Sequence, residues 1–311
     1  MAERRHSRLA LIGALVLAGL GTVQATPASA SVPPVTGARI VAHFDIAARQ
    51  QPENIALGPD GSADVTFPFA RQVARVTPDG NVTVLATLPL ATAATVGVSG
   101  IVRAPDGSLY VNYLAGAESG IWQIRPGVGA RQVAALPEAK FLNGLALDAR
   151  SGTLYATDST AGTVWRVWPH SGRTELWATG DKLLPGAAGF GVNGIKVHDG
   201  SVWVSNTDQG TLLRIPVRHD GTAGRISEVA RVAAIDDFAF TGAGDTVLAA
   251  QNALDAVALV TPGHGVRTVL TAADGLSTPS SVAVRRSAVY VTSAAYFTGM
   301  DPNLLTASLG H

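Results

Sequence analysis

The chain contains no cysteine. That rules out stabilising disulfides, and it rules out a thiolate as nucleophile or metal ligand. It also lacks an excess of charge of either sign: 23 Lys and Arg stand against 23 Asp and Glu. Without a basic patch to attract a phosphate backbone, nucleic acid is excluded as a partner. The G-x-S-x-G elbow of serine hydrolases is missing, and so is the zinc motif H-E-x-x-H. The seven histidines show no metal-ligand pairing along the sequence. His170 and His198 fall at predicted hairpin turns, where a solvated surface role is expected. The apolar run Leu9 to Leu20 is too short for a spanning helix, which needs about 20 residues.

That run instead reads as part of a secretory leader. Arg4, Arg5 and Arg8 precede it, and the small residues Ala28-Ser29-Ala30 follow it. Residues 1–30 are therefore expected to be a signal peptide cut after Ala30. Residues 31–37, with Pro33-Pro34, follow as a linker, and residues 38–311 form the folded domain. The expectation is a secreted protein with no stable membrane insertion after cleavage, acting as a monomer. Its partner is a small-molecule substrate or ligand.

What the chain has in quantity is glycine, 34 residues, and short alternating apolar runs between turns. Six stretches open alike, at Glu53, Ser99, Asn143, Asn193, Asp236 and Ser280, in steps of 43 to 50 residues. Each opening is a polar residue, a short apolar run, a turn and a second apolar run such as SLYVNY, TLYATD or SVWVSN. An all-strand repeat of about 40–50 residues predicts a six-bladed β-propeller, one blade per repeat. The last repeat runs out one strand short at Leu304 to Leu309. The missing strand is expected from Ala38 to Phe44, an N-terminal strand that completes the last blade and closes the ring.

Trp122, Trp165 and Trp203 lie within predicted strands and read as packing between blades. The longest insertion, Thr179 to Phe190, precedes Asn193. It is expected at the channel mouth, either as a substrate loop or as tolerated loop variation.

A propeller brings equivalent positions of its blades to one axis. The six leading residues each precede an inner strand and should share one mouth of the channel. Glu53, Asn143, Asn193 and Asp236 would make an all-oxygen site suited to a hard divalent cation, calcium or magnesium. Without a cation the two carboxylates would repel, and one would hold its proton more tightly. Asn, Asp and Ser before a strand also serve local turns by bonding the backbone, and that reading stays open for the asparagines. Glu has no such turn role. Ser99, Asn193 and Ser280 are candidates for substrate binding, and Asp236 and Asp237 for catalysis.

The openings ENIALGPDG, NGLALDARSGTLYATD and NGIKVHDGSVWVSN resemble the gluconolactonase, senescence-marker-protein (regucalcin) and strictosidine-synthase-like superfamily of six-bladed propellers. The resemblance spans about residues 38–295. It implies that Glu53, Asn143, Asn193 and Asp236 meet at a divalent cation, and that the protein hydrolyses a small lactone or ester. The family's Asp is usually followed by Gly, whereas Asp237 follows Asp236 here. The segments PENIAL, LNGLAL, GVNGIKV and DDFAF are also similar to a hetero-Diels–Alderase-like branch, which implies a metal-free pocket for an apolar ligand. A non-catalytic binding propeller is the third alternative.

Overall fold

In the computed structural model, residues 35–93 and 95–310 are described. The leader expected over 1–30 lies outside them. The described residues form 24 strands in six four-stranded antiparallel sheets, with three short 3-10 turns. The innermost strands are β2 (Ile55–Leu57), β6 (Gly97–Arg103), β10 (Leu142–Asp148), β14 (Val192–His198), β18 (Ile235–Phe240) and β22 (Pro279–Arg285). They touch one another in that order, and β22 returns to β2, so the ring is closed. No helix among the described residues is long and apolar enough to cross a membrane.

Closure works as the sequence implies. The N-terminal strand β1 (Val35–His43) pairs antiparallel with β24 (Asn303–Leu309), outside β23 (Ala288–Ser293) and β22. The strand begins at Val35, three residues before the expected Ala38. Val35 is itself buried with Leu276 and Leu305, and Ala307 belongs to the same apolar cluster, which extends the pairing.

Alternation within the strands explains the packing. Many of the hairpin turns carry Gly or Asp, and β-branched and aromatic strand residues pack against the neighbouring blades. The buried apolar side chains fall into six clusters, and each joins two adjacent blades. Trp203 is buried at the contact of the fourth and fifth blades. Trp122 packs edge-on against Tyr113, with ring centroids 5.6 Å apart. His198 departs from the solvated turn expected for it: its ring is half-buried and stacks on Phe240 at 3.8 Å.

Near the axis, apolar packing gives way to a belt of polar ties. In four blades a side chain near the end of the second strand donates to the carbonyl of the mouth residue in the next blade. Thr66 Oγ1 reaches Ser99 O at 2.7 Å, and Asn112 Nδ2 reaches Asn143 O at 2.8 Å. Thr157 Oγ1 reaches Asn193 O at 2.5 Å, and Ser205 Oγ reaches Asp236 O at 2.5 Å. The belt closes through Ser280 Oγ, which donates to Pro52 O at 2.8 Å.

Three blades come so close there that no side chain fits beside the mouth residue. A Cβ at Gly144 would strike the Asn193 carbonyl oxygen and lie 3.1 Å from the Ile195 nitrogen. Both obstacles are backbone held in a strand, so they cannot swing away. Gly144→Ala is therefore expected to destabilise the fold by about 1–3 kcal/mol, the usual cost of overpacking. Chemical denaturation would show this as a lower midpoint at unchanged slope. A midpoint equal to the parent's would contradict the close approach.

Candidate active site at the channel mouth

The inner strands place the six leading residues at one end of the channel. Second strands run back toward that end, so the turns that follow them reach the mouth too. Glu53 precedes β2 and is half-buried. Its carboxylate Oε2 accepts a hydrogen bond at 2.5 Å from the hydroxyl of Tyr296, which comes from the turn after β23. Asp236, on β18, is buried. Its Oδ1 accepts from Asn193 Nδ2 at 2.6 Å and its Oδ2 from Asn252 Nδ2 at 3.0 Å. Asn193 Nδ2 also donates to Thr207 Oγ1 at 3.0 Å, so its amide protons are engaged and its Oδ1 is left without a donor. Asn143 is buried, and its carboxamide makes no hydrogen bond among the described residues. Its backbone carbonyl alone is tied, through Asn112.

The electrostatics are unusual. Neither Glu53 nor Asp236 has a cationic partner among the described residues. Burial pushes the Glu53 carboxyl up from 4.5 to about 7; the Tyr296 hydroxyl opposes the rise, and the charge of Asp237 adds to it. Glu53 keeps a partly open surface, but protein encloses it closely enough for desolvation to dominate. Asp236 is held well above the usual carboxylate range, first by burial and then by the charges of Glu53 and Asp237. The amides of Asn252 and Asn193 pull the other way. Tyr296 is likewise raised well above the usual phenol range, by burial and then by the Glu53 charge.

Asp237 has different company. Its Oδ1 lies 2.6 Å from Lys196 Nζ, and its Oδ2 accepts from Ser281 Oγ at 2.6 Å and, more distantly, from Asn54 Nδ2 at 3.5 Å. Asn54, Asp237 and Ser281 stand where the other three blades carry Gly100, Gly144 and Gly194. They make a second polar layer one residue deeper than the mouth. Ser99 Oγ donates to Leu142 O at 2.8 Å, and Ser280 Oγ to Pro52 O, so both hydroxyls tie blades together.

The structure thus brings Asn193 and Asp236 into direct contact and sets Glu53 close enough for their charges to interact. Tyr296, Asn252, Thr207 and Lys196 join them without having been marked in the sequence. A searchable signal existed for Thr207 and Asn252: both follow the end of a second strand. Two carboxylates lacking cationic partners among the described residues, with the Asn193 carboxamide beside one of them, are groups of the kind that suit a hard cation, while no contact joins the Asn143 carboxamide to them.

Around this polar floor stands an aromatic rim. Phe69 meets Tyr296 edge-on at 5.8 Å, and Phe141 meets Phe190 at 5.8 Å. Phe190 ends the long insertion, which is firmly anchored. Asp208 Oδ2 accepts from the backbone nitrogens of Gly186, Gly189 and Phe190 at 2.8, 2.9 and 3.1 Å. Asn206 Nδ2 donates to Lys182 O and Leu184 O at 3.0 and 2.9 Å. A separate trio, His198, Asp199 and Asp245, lies at the opposite end of the channel. There His198 Nε2 is 3.5 and 3.4 Å from the two carboxylates, and both carboxylates are exposed.

Comparison with solved structures places the fold among enzymes and binding proteins of one architecture. A gluconolactonase from Xanthomonas campestris superposes with a TM-score of 0.64 at 17% identity, over 90% of this chain and 96% of that one. Virginiamycin B lyase from Staphylococcus aureus gives 0.60 at 16% identity, over 84% and 81%. A luciferin-regenerating enzyme gives 0.63 at 12% identity, over 86% and 94%. These likenesses establish a shared six-bladed fold. No protein-family model and no curated protein matches the chain.

Two outcomes are expected. In chelator, the raised proton affinity of Glu53 favours the folded state fully below about pH 4.5, and this contribution is lost as pH rises through about 7. The melting temperature should therefore fall across that window, and Glu53→Gln should flatten the fall. An identical pH profile in the variant would refute the burial of this charge. Separately, Asp208→Ala removes three anchors of the insertion. It should speed backbone hydrogen exchange at Gly186, Gly189 and Phe190 at least about tenfold while the propeller strands keep their protection.

Proposed function

We propose that the protein is a hydrolase of a small lactone or ester, assisted by a divalent cation, calcium or magnesium, held by Glu53, Asn143, Asn193 and Asp236. The observation that carries this reading is the pair of enclosed carboxylates, Glu53 and Asp236, with no cationic side chain bonded to either among the described residues. Buried charges are normally paired or bound to metal. A metal-free pocket for an apolar ligand would gain nothing from this arrangement. The gluconolactonase likeness supports the choice of fold for such chemistry and is consistent with it.

When bound, the cation would polarise the substrate carbonyl and acidify a water. The chain's own groups do the rest. The Asn193 amide donates to Asp236 and Thr207, which leaves its own oxygen available as a ligand. Glu53, as a ligand carboxylate, would take the proton of the attacking water, and the Tyr296 hydroxyl fixes its orientation. Asp237 was the other candidate base. Its oxygens are engaged by Lys196 and Ser281, which suits it to positioning the layer beneath the site. The aromatic rim of Phe69, Phe141 and Phe190 supports a substrate with an apolar substituent beside its carbonyl. The leader-like residues 1–30 support export as part of this proposal.

Glu53→Gln keeps the acceptor for Tyr296 and removes the charge. It should weaken calcium or magnesium binding by more than about a hundredfold, beyond the usual loss of an outer-shell partner. Calorimetry reads the affinity, and a thermal melt confirms folding. Hydrolysis across a lactone and ester panel should stop in chelator. Unchanged cation affinity in the variant, or hydrolysis indifferent to chelator, would overturn the proposal.

A further inference from the structure

The far end of the channel holds a cavity of about 720 Å³, separated from the mouth by the layer around Asp237. Its wall is built from the outgoing ends of the inner strands and is mostly aliphatic, with Phe240 as its one aromatic ring. The volume lies within the roughly 300–1,000 Å³ typical of small-molecule sites. Its charged lining has one sign only: Arg103, Lys196 and Arg285, with no acidic side chain.

These cations are not equivalent. Lys196 is neutralised by Asp237 at 2.6 Å. Arg103 bonds the buried Asp64, which also holds Arg75 at 2.9 Å, so that trio keeps one positive charge in excess. Arg285 makes no ion pair and no side-chain hydrogen bond among the described residues, although it is half-buried. No nearby hairpin carboxylate among the described residues forms an ion pair with it. Asp60 is bonded to Ser62, Asp106 to Ser108 and Asp148 to Ser151, each within its own turn.

We propose that this cavity is a second ligand site, for a small amphipathic anion with an aliphatic body and a carboxylate head. The chain of the ligand lies along Ile101, Leu145 and Val282, and its head meets the Arg285 guanidinium, whose planar fork suits a carboxylate. The mouth site offers no comparable free cation among the described residues: the basic side chain that reaches it, Lys196, is paired with Asp237. This inference does not depend on the reaction proposed for the mouth.

Calorimetric titration of the full chain in chelator tests it, with octanoate as the probe and octan-1-ol as its neutral counterpart. Octanoate is expected to bind one to one, at least about tenfold tighter than the alcohol, as a charge-assisted contact implies. Arg285→Gln should bring octanoate down to the level of the alcohol, and Arg285→Lys should restore part of the difference. Val284→Trp, which narrows the cavity, should weaken both ligands. Glu53→Gln should leave octanoate binding unchanged. Thermal melts establish that each variant folds, and the wild-type comparison of the two probes stands even if one does not. Equal affinity for the two probes, or indifference to Arg285→Gln or Val284→Trp, would overturn the second site. Loss of binding in Glu53→Gln would place the ligand at the mouth and overturn it equally.

Discussion

Four of the six mouth residues in this propeller are held across a blade boundary by their backbone carbonyls. Thr66, Asn112, Thr157 and Ser205 each donate across a blade boundary to the carbonyl of Ser99, Asn143, Asn193 and Asp236. An apolar cluster can bring two blades together, but it cannot fix their register at the axis, because hydrophobic contact has no direction. A hydrogen bond does. The belt therefore turns a ring of sliding sheets into a rigid aperture. It also lets buried backbone carbonyls at the axis be satisfied without help from the functional side chains. In the fifth blade Ala250 stands at the position of Ser205, so no such donor is present there. The link at that point passes instead through Ser281 to Asp237, and Ser280 to Pro52 joins the sixth blade to the first.

The aperture holds charges that the fold itself does not need. Asp64, Asp237 and Asp158 show how this chain treats a buried carboxylate when only structure is at stake: the first two have a basic side chain within bonding distance, and Asp158 accepts three backbone N–H groups. Glu53 and Asp236 receive only a hydroxyl and amides. Neutral donors stabilise an anion less than a cation does, and burial wins the contest, which is why both carboxyls hold their protons unusually well. Local rules obeyed elsewhere and broken at one place mark that place as functional.

The architecture could be read from the sequence because each blade repeats the same turn chemistry and alternation, and repetition multiplies a weak signal. Closure by the N-terminal strand was legible from simple incompleteness: the final repeat lacks a strand. The leading residues of the mouth were legible for the same reason, since they occupy one register. Their partners were not. Tyr296 lies 243 residues from Glu53, in the turn after the second strand of the last blade. Lys196 reads as an ordinary strand residue, and only the ring geometry sends its side chain to Asp237 in the next blade. His198 looked like a turn residue because its sequence neighbours are Asp199 and Gly200; its contact with Phe240 depends on another blade. One subtler sign was present in plain view. Gly follows the mouth residue in three blades and Asn, Asp or Ser in the others, and that division separates bare backbone contact from the polar layer.

The pairing of β1 with β24 has a consequence for how the protein is made. A ribosome delivers β1 first and β24 last, so the seam can be sewn only after the whole chain has emerged. Until then the outer flank of the final blade is unfinished, and the earliest strand waits with its backbone groups unpaired while nearly 260 residues are added. Blades can form one after another during synthesis, but the circle, and with it the aperture, comes into being as a single late event.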